Sequence, residues 1–445
     1  MHFPEGFLAH ISDSAGFDSH AFEEVHLHVA PTSIRFHPTK VHPAFSESEK
    51  MPWCDEAIYL NERPDFTLDP HFHAGGYYVQ EASSMSVIHA LNQEFDAQRD
   101  IRVLDLCAAP GGKSTHILSW LNGAGLLVSN EVIRTRASVL RDNLSKWGYA
   151  NVLASNNDPK QLGTLHHYFN ALVIDAPCSG SGMFRKDPAA MKHWSHGAVI
   201  HCAERQKRIL SDVWDALQPG GLCVYSTCSY STAENEDISQ FICTELGADY
   251  ISIAALDENP AIVSSSWGYR FWPHRLKGEG FFMAVFRKHS DSIQPLAPAK
   301  KHLEFKKVQS GCASWVDKDF VEASCHLGAV LIPMQQQEVV NTLYTKLHTV
   351  KVGIQSGESK NGKFIPHHEL ALYHRLSPEV PSINLDREHA LRYLKKESLR
   401  IPNEAQGQYV MRFENAVLGW GNAVGSRINN GLPKSWRILK EIDFE

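Results

Sequence analysis

Between residues 101 and 288, short apolar runs alternate with stretches of helical period. A run over 101–106 precedes a glycine turn and a helix predicted from about Ser114 to Gly123. A second run, 126–131, precedes a helix that stops at Gly148. Further apolar or β-branched runs lie at 151–156, 171–175 and 222–230, helices are predicted near 199–217 and 234–246, and 281–286 closes the series. Strands that alternate with helices predict an α/β fold with a parallel, doubly wound, Rossmann-like sheet. The flanks read differently. Residues 1–78 are short mixed segments, which predict a small N-terminal α+β domain. A Pro-, Ala- and Ser-bearing linker occupies 289–302, and 303–380 reads as a mixed domain. In 381–445, Asp386 is placed to cap a helix through about Leu399, and 409–413 and 416–420 predict a β-rich end. The organisation expected is therefore 1–78, 79–288, 303–380 and 381–445.

Composition adds limits. In 445 residues no run of 18 apolar positions occurs, so no membrane span is expected. The first residues, M-H-F-P-E-G-F, carry no basic segment followed by an apolar one, so no secretory signal is expected either. Nine cysteines form no C-x-x-C pair, which fits free thiols in a cytoplasmic protein without a bound metal. The formal charge of −7 hides an asymmetry. Residues 1–78 hold four basic and twelve acidic side chains, whereas the chain beyond 289 is slightly basic, which suits an anionic partner there.

The segment V-L-D-L-C-A-A-P-G-G-K-S-T (103–115) places small residues and a helix start after the first strand, where a backbone can approach a nucleoside. Gly112, Lys113 and Ser114 mimic the end of a phosphate-binding loop, but that pattern requires glycine where Cys107 stands. Asp105, Glu131, Asp158 and Asp175 fall near the ends of four successive predicted strands. Such acidity suits a nucleoside cofactor without a pyrophosphate, such as S-adenosylmethionine, with Glu131 at the ribose and Asp158 near the adenine. Two cysteines follow strands in polar loops: Cys178 in D-A-P-C-S-G-S-G and Cys228 in S-T-C-S-Y-S-T-A-E-N-E. Both are expected to gain acidity from helix starts, whereas Cys202, Cys243, Cys312 and Cys325 read as packing residues. A thiolate beside a methyl sulfonium suits carbon 5 of a pyrimidine, which becomes nucleophilic only after addition at carbon 6. Asp175 is placed to stabilise the adduct near nitrogen 3 or the exocyclic amine.

The blocks C-A-A-P-G-G-K, D-A-P-C-S-G-S-G and S-T-C-S-Y-S-T-A-E-N-E together resemble the RNA cytosine-C5 methyltransferases of the Nop/Sun family. G-M-F-R-K-D-P (182–188) and G-Y-R-F-W-P-H-R (268–275) are similar to its bacterial RsmF type. G-W-G-N-A-V-G (419–425) and P-K-S-W-R-I (433–438) resemble that type's PUA-like RNA-binding module. The resemblance implies a cofactor site formed by Cys107, Ala108, Ala109, Pro110, Gly111, Gly112, Lys113, Glu131, Asp158 and Asp175. It also implies that Cys228 attacks the base and that Cys178 assists release. Residues 77–85 resemble the motif before the catalytic domain and are expected to wall the cofactor pocket. The partner implied is RNA, either 16S ribosomal RNA or the small ribosomal subunit, with the protein a monomer. A transfer RNA substrate and a non-catalytic RNA-binding assembly factor are the alternatives. Arg185, Lys186, Arg270, His274, Arg275, Lys277 and a cluster of Lys300, Lys301, Lys306 and Lys307 are candidate phosphate contacts.

Overall fold

A computed structural model describes residues 2–45, 48–95, 100–290, 303–307, 311–401 and 405–442, except for the side chains of 305 and 307. Its centre is a mixed sheet. The first strand is β1 (Arg102–Asp105), followed by α1 (Gly112–Leu121), β2 (Leu126–Asn130), α2 (Arg134–Trp147) and β3 (Val152–Ser155). Then come β4 (Phe169–Asp175), α3 (His196–Val213), β5 (Leu217–Thr227), α4 (Glu236–Thr244) and β6 (Phe281–Lys288). The strands lie in the order β3-β2-β1-β4-β5-β6, parallel except for β6, which runs antiparallel to β5. The order reverses between β1 and β4, which opens a crevice at their carboxyl ends.

Both faces of this sheet are covered, which explains the continuous apolar runs. Val103, Leu127 and Val173 enter one core, while their neighbours Leu104, Val128 and Leu172 enter the other. α1 stops where Asn122 and Gly123 adopt left-handed backbone, and α2 stops at left-handed Gly148.

The N-terminal residues form a four-stranded antiparallel sheet ordered Glu49–Lys50, Ala57–Leu60, Thr32–Phe36 and Tyr77–Val79. Two short helices precede it. Their Phe7 and Phe22 pack with Phe184, Trp194, Tyr230 and Trp272, so this segment backs the loop after β5. Beyond the linker, a five-stranded sheet spans Phe305–Lys307 to Lys363–Pro366. The next strand to form within that stretch leaves it: β7 (Thr349–Val352) pairs antiparallel with β3 and becomes the outer edge of the central sheet. Lys351 on β7 holds Glu369 in a buried ion pair of 2.8 Å, and Ser145 of α2 donates to the same carboxylate. A last five-stranded sheet runs from Ser382–Leu385 to Arg427–Asn430. Asp386 caps the helix there by accepting from the His389 amide, but the helix is Arg387–Leu394 and stops short of Leu399. Lys396 takes left-handed backbone, and Leu399–Arg400 is already a strand paired with Arg427–Asn430. Among the described residues no helix is long and apolar enough to cross a membrane.

Candidate active site

The crevice at the carboxyl ends of β1, β2 and β4 is a cleft of about 280 Å³. Cys107, Ala109, Glu131, Asp158, Asp175, Cys178 and Cys228 line it, together with Asn130, Arg136 and Arg205. Cys107 and Ala109 bring the glycine turn to its wall, whereas Ala108, Pro110, Gly111, Gly112 and Lys113, also expected at the cofactor, do not line it. Gly111 needs glycine, because its φ is +113° and a Cβ would stand 3.3 Å from Leu140. Ala108 donates its amide to Asn130 at 2.9 Å, and the Pro110 carbonyl accepts from Asn143 at 2.8 Å. These contacts fix the turn between β2 and α2. Gly112 opens α1 and lies against Tyr78 and Gln80. Residues 77–85 therefore support the turn from behind and do not line the cleft, because Tyr77–Val79 is committed to the N-terminal sheet.

Asp105 is fully buried beneath the turn, where its Oδ2 accepts from Ser114 at 2.6 Å. Burial pushes its pKa up to about 7, against the lowering effect of Ser114 and Lys113. Glu131 is also buried; its Oε1 accepts from the Ile133 amide at 2.9 Å, and Arg136 lies 3.3 Å from Oε2. Arg136 also donates to the Ala109 carbonyl, which links the acid to the turn. Asp158 lies three residues past β3 as an N-cap, its carboxylate accepting from the Lys160 amide at 3.0 Å. Beyond the Arg136 guanidinium, Glu131 Oε2 has no hydrogen-bond partner among the described residues, and Asp158 and Asp175 add their carboxylates to the same cleft. A ligand carrying hydroxyl and ammonium donors suits this set of acceptors, so the cleft fits S-adenosylmethionine.

Asp175 closes β4 and accepts from Ser226 at 3.0 Å and from the Lys113 ammonium at 2.8 Å. Burial alone would lower the Lys113 pKa, but Asp175, Asp105 and Glu81 outweigh it and raise it. Lys113 thus spans from the turn to the β4 end and stays charged.

The two cysteine loops meet beside Asp175. Cys178 Sγ and Cys228 Sγ are 3.2 Å apart. The Gly182 amide donates to the Cys228 carbonyl at 2.7 Å, and the Tyr230 amide donates to Ser181 Oγ at 3.0 Å. Gln206 of α3 donates to the Pro177 carbonyl at 3.1 Å. Cys178 does not gain the acidity expected of a helix start. Its hydrogen bond to Cys228, then burial, holds it well above the usual thiol range, and a short 3-10 turn comes first after each loop. Glu234, which the sequence reading did not single out, accepts from the Ser179 amide at 2.6 Å and from the hydroxyls of Ser179 (2.6 Å) and Ser229 (2.5 Å). The signal for it lay in T-A-E-N-E, where every polar residue holds the loop. Asn235 bonds Thr227 and the Ser229 carbonyl, and Glu236 pairs with buried Arg270.

That pairing, and others like it, remove most of the expected phosphate contacts. Arg270 also donates to the Tyr230 carbonyl; Arg185 donates to the carbonyls of His28, Val29 and Gly278; Lys186 faces Glu279. His274 bonds the Gly16 carbonyl, Arg275 the Pro260 carbonyl, and Lys277 pairs with Glu49. Lys300 and Lys301 lie outside the described residues, as does the Lys307 side chain, and Lys306 is exposed beside Glu304. Arg205 and Arg208, on α3 at the cleft, are the basic side chains that helical period alone did not mark.

Residues 92–287 match the family model described as 16S rRNA methyltransferase RsmB/F. Residues 3–82 match the N-terminal domain of 16S rRNA methyltransferase RsmF, and 380–438 match the methyltransferase RsmF PUA domain. Curated relatives called ribosomal RNA small subunit methyltransferase F include that of Aliivibrio salmonicida, 31% identical, with 87% of this chain and 85% of the relative covered. The Vibrio atlanticus relative is 29% identical over 98% of this chain and 97% of its own. Among solved structures, a methyltransferase homolog from Pyrococcus horikoshii is 26% identical with a TM-score of 0.51, covering 60% of this chain and 90% of that one. NSun6 from Pyrococcus horikoshii with SFG shares the fold at a TM-score of 0.55 and 18% identity, over 65% and 99%.

Proposed function

The chain belongs to the ribosomal RNA small subunit methyltransferase F family, and on that premise we propose that it methylates carbon 5 of a cytosine in 16S ribosomal RNA through a covalent adduct on Cys228. Methylation of ribosomal RNA from S-adenosylmethionine is the coarser activity the family carries, with a C-terminal PUA domain for RNA binding. The observation that supports the finer reading is the pair of thiols in contact beside the Asp175 carboxylate, on one wall of the cofactor cleft. N-methylation would need no thiol there.

The side chains divide the work. Glu131, with the turn from Cys107 to Lys113, would hold the cofactor's ribose and amino-acid portions, and Asp158 would border its base. Bound S-adenosylmethionine supplies an electrophilic methyl group, which carbon 5 accepts. The Cys228 thiolate adds to carbon 6, its electron pair forming the C–S bond as the ring π electrons move towards carbon 5. Asp175 accepts a hydrogen bond from the exocyclic amine and fixes the ring. Once the Cys228 sulfur is bonded to carbon it no longer shares a proton with the Cys178 thiol 3.2 Å away, and Cys178 gives its proton to solvent. The Cys178 thiolate then takes the carbon 5 proton, the C6–S bond breaks, and Cys228 leaves as thiolate. The cycle ends as it began, with one proton released per methyl transferred.

The target must be unstacked to reach this cleft, so a loop or flipped nucleotide is the expected substrate. Bisulfite sequencing of 16S ribosomal RNA from cells with and without the gene tests the reading. One cytosine should lose its protection in the deletion strain and regain it with the wild-type gene but not with Cys228→Ala. An unchanged 16S map with a changed transfer RNA map would reject the substrate; a base change other than 5-methylcytosine would reject the chemistry.

A further inference from the structure

We infer that Glu234 is the clip that sets the spacing of the two cysteines, a positioning residue for the proposed reaction. The inference rests on the covalent reading above and adds to it the group that makes two separate loops act as one site.

Cys178 and Cys228 come from loops 50 residues apart, each following a different strand. Two strand ends in one sheet do not by themselves bring two sulfurs to 3.2 Å. The residue immediately after each cysteine is a serine, and both serines bond the same carboxylate. Glu234 Oε1 takes the Ser179 amide, and Oε2 takes the hydroxyls of Ser179 and Ser229. Glu234 is completely buried, and no lysine or arginine pairs with it among the described residues. A buried carboxylate held by three donors and no cation is costly unless the geometry it imposes is needed. Its own placement is fixed from below. Tyr225 of β5 donates to the Glu234 carbonyl at 2.7 Å, and Asn235 bonds Thr227 at 2.6 Å. The clip is thus anchored to the strand that carries the nucleophile and reaches across to the loop that carries its partner. It does not line the cleft, so it acts through the cysteines and not on the substrate.

Three variants test this. Glu234→Ala removes all three bonds. Glu234→Gln preserves them, because the amide oxygen can accept from the Ser179 amide while its NH2 donates to hydroxyls that can turn to accept. The double variant Ser179→Ala with Ser229→Ala removes the two hydroxyl bonds and leaves the carboxylate. In steady-state methyl transfer to 16S ribosomal RNA, Glu234→Ala should lower kcat about 100-fold, as a displacement near 1 Å does. Its KM for RNA and its S-adenosylmethionine affinity should stay within about threefold, and the Cys228–RNA adduct should accumulate as release slows. Glu234→Gln should retain at least about a third of the wild-type kcat, and the double serine variant should fall between the two. Wild-type kcat in Glu234→Ala overturns the clip. So does a Glu234→Gln variant as slow as Glu234→Ala, which would make Glu234 a proton carrier. If Glu234→Ala fails to bind cofactor, the double serine variant decides: a slow kcat supports the clip and an unchanged one overturns it. Failure of the covalent reading is distinguishable, since the wild-type enzyme would then form no adduct at all.

Discussion

Gly182→Ala is a sharp probe of the account, because the structure says how far the nucleophile must move. The Gly182 amide donates to the Cys228 carbonyl at 2.7 Å. A Cβ at position 182 would stand 2.6 Å from that same oxygen and 2.7 Å from the Gly280 carbonyl, both backbone atoms that no rotamer change relieves. Contacts this short begin to be tolerated only above 3.0 Å, so the Cys228 backbone must withdraw by about 0.4 Å or more. Losing the hydrogen bond as well would cost about 1 kcal/mol, and the overpacking about 1–3 kcal/mol. Displacement of the nucleophile by a large fraction of an ångström should slow the reaction roughly 10- to 100-fold. Gly182 does not line the cleft, so the cofactor site should be untouched. The assay is single-turnover methyl transfer at saturating S-adenosylmethionine, alongside cofactor affinity by calorimetry and the melting temperature. The expected result is a slow variant with wild-type cofactor affinity and a modestly lower Tm. A Gly182→Ala enzyme with the wild-type single-turnover rate would refute the claim that this contact sets the position of Cys228.

Asp105, buried beneath the turn with its pKa raised to about 7, keeps in the folded state a proton that the unfolded chain gives up near pH 4, so its contribution to stability falls as pH rises from about 4 to 7; urea unfolding of Asp105→Asn should show a shallower loss over that range than the wild type, and identical pH slopes would contradict the assignment. Glu369, buried against Lys351, has its pKa lowered to about 2 although burial itself acts to raise it. The stability it contributes is therefore complete above the ordinary carboxylate pKa and is lost as pH falls from about 4.5 towards 2, and Glu369→Ala should cost about 3–5 kcal/mol in urea unfolding at pH 7; a loss below about 1 kcal/mol would show the pair to be dispensable. Deleting 303–445 removes β7 from the edge of the central sheet and strips packing partners such as Val321, Val330 and Ile332 from its core. That truncation should be insoluble, and a soluble fragment with full-length cofactor affinity would contradict the shared sheet.

The central sheet was legible because burial on both faces turns each parallel strand into an apolar run, and α1 and α2 end at Gly123 and Gly148 for backbone reasons the sequence carries. The cleft was legible too: Cys107, Glu131, Asp158, Asp175, Cys178 and Cys228 all line it. What stayed hidden depends on contacts between residues far apart in the chain. β7 pairs with a strand almost 200 positions earlier, which no local period reveals. Arg185 and Arg270 look like free cations until the fold supplies the carbonyls and the Glu236 carboxylate that occupy them. Asp105 reads as one more strand-end acid, but its depth below the turn, not its position, sets its protonation. Cys178 and Cys228 were both expected to gain acidity from helix starts; the sulfur of Cys228 against Cys178 raises the Cys178 pKa instead.

The most direct test is to incubate the enzyme with 16S ribosomal RNA containing 5-fluorocytosine and S-adenosylmethionine, digest the denatured mixture, and locate the RNA-linked peptide by mass spectrometry. Fluorine cannot leave carbon 5 as a proton does, so the adduct should persist and the modified peptide should carry it on Cys228. Modification on Cys178 instead, or no covalent product while unsubstituted RNA is methylated at the normal rate, would contradict the assignment of Cys228 as the nucleophile.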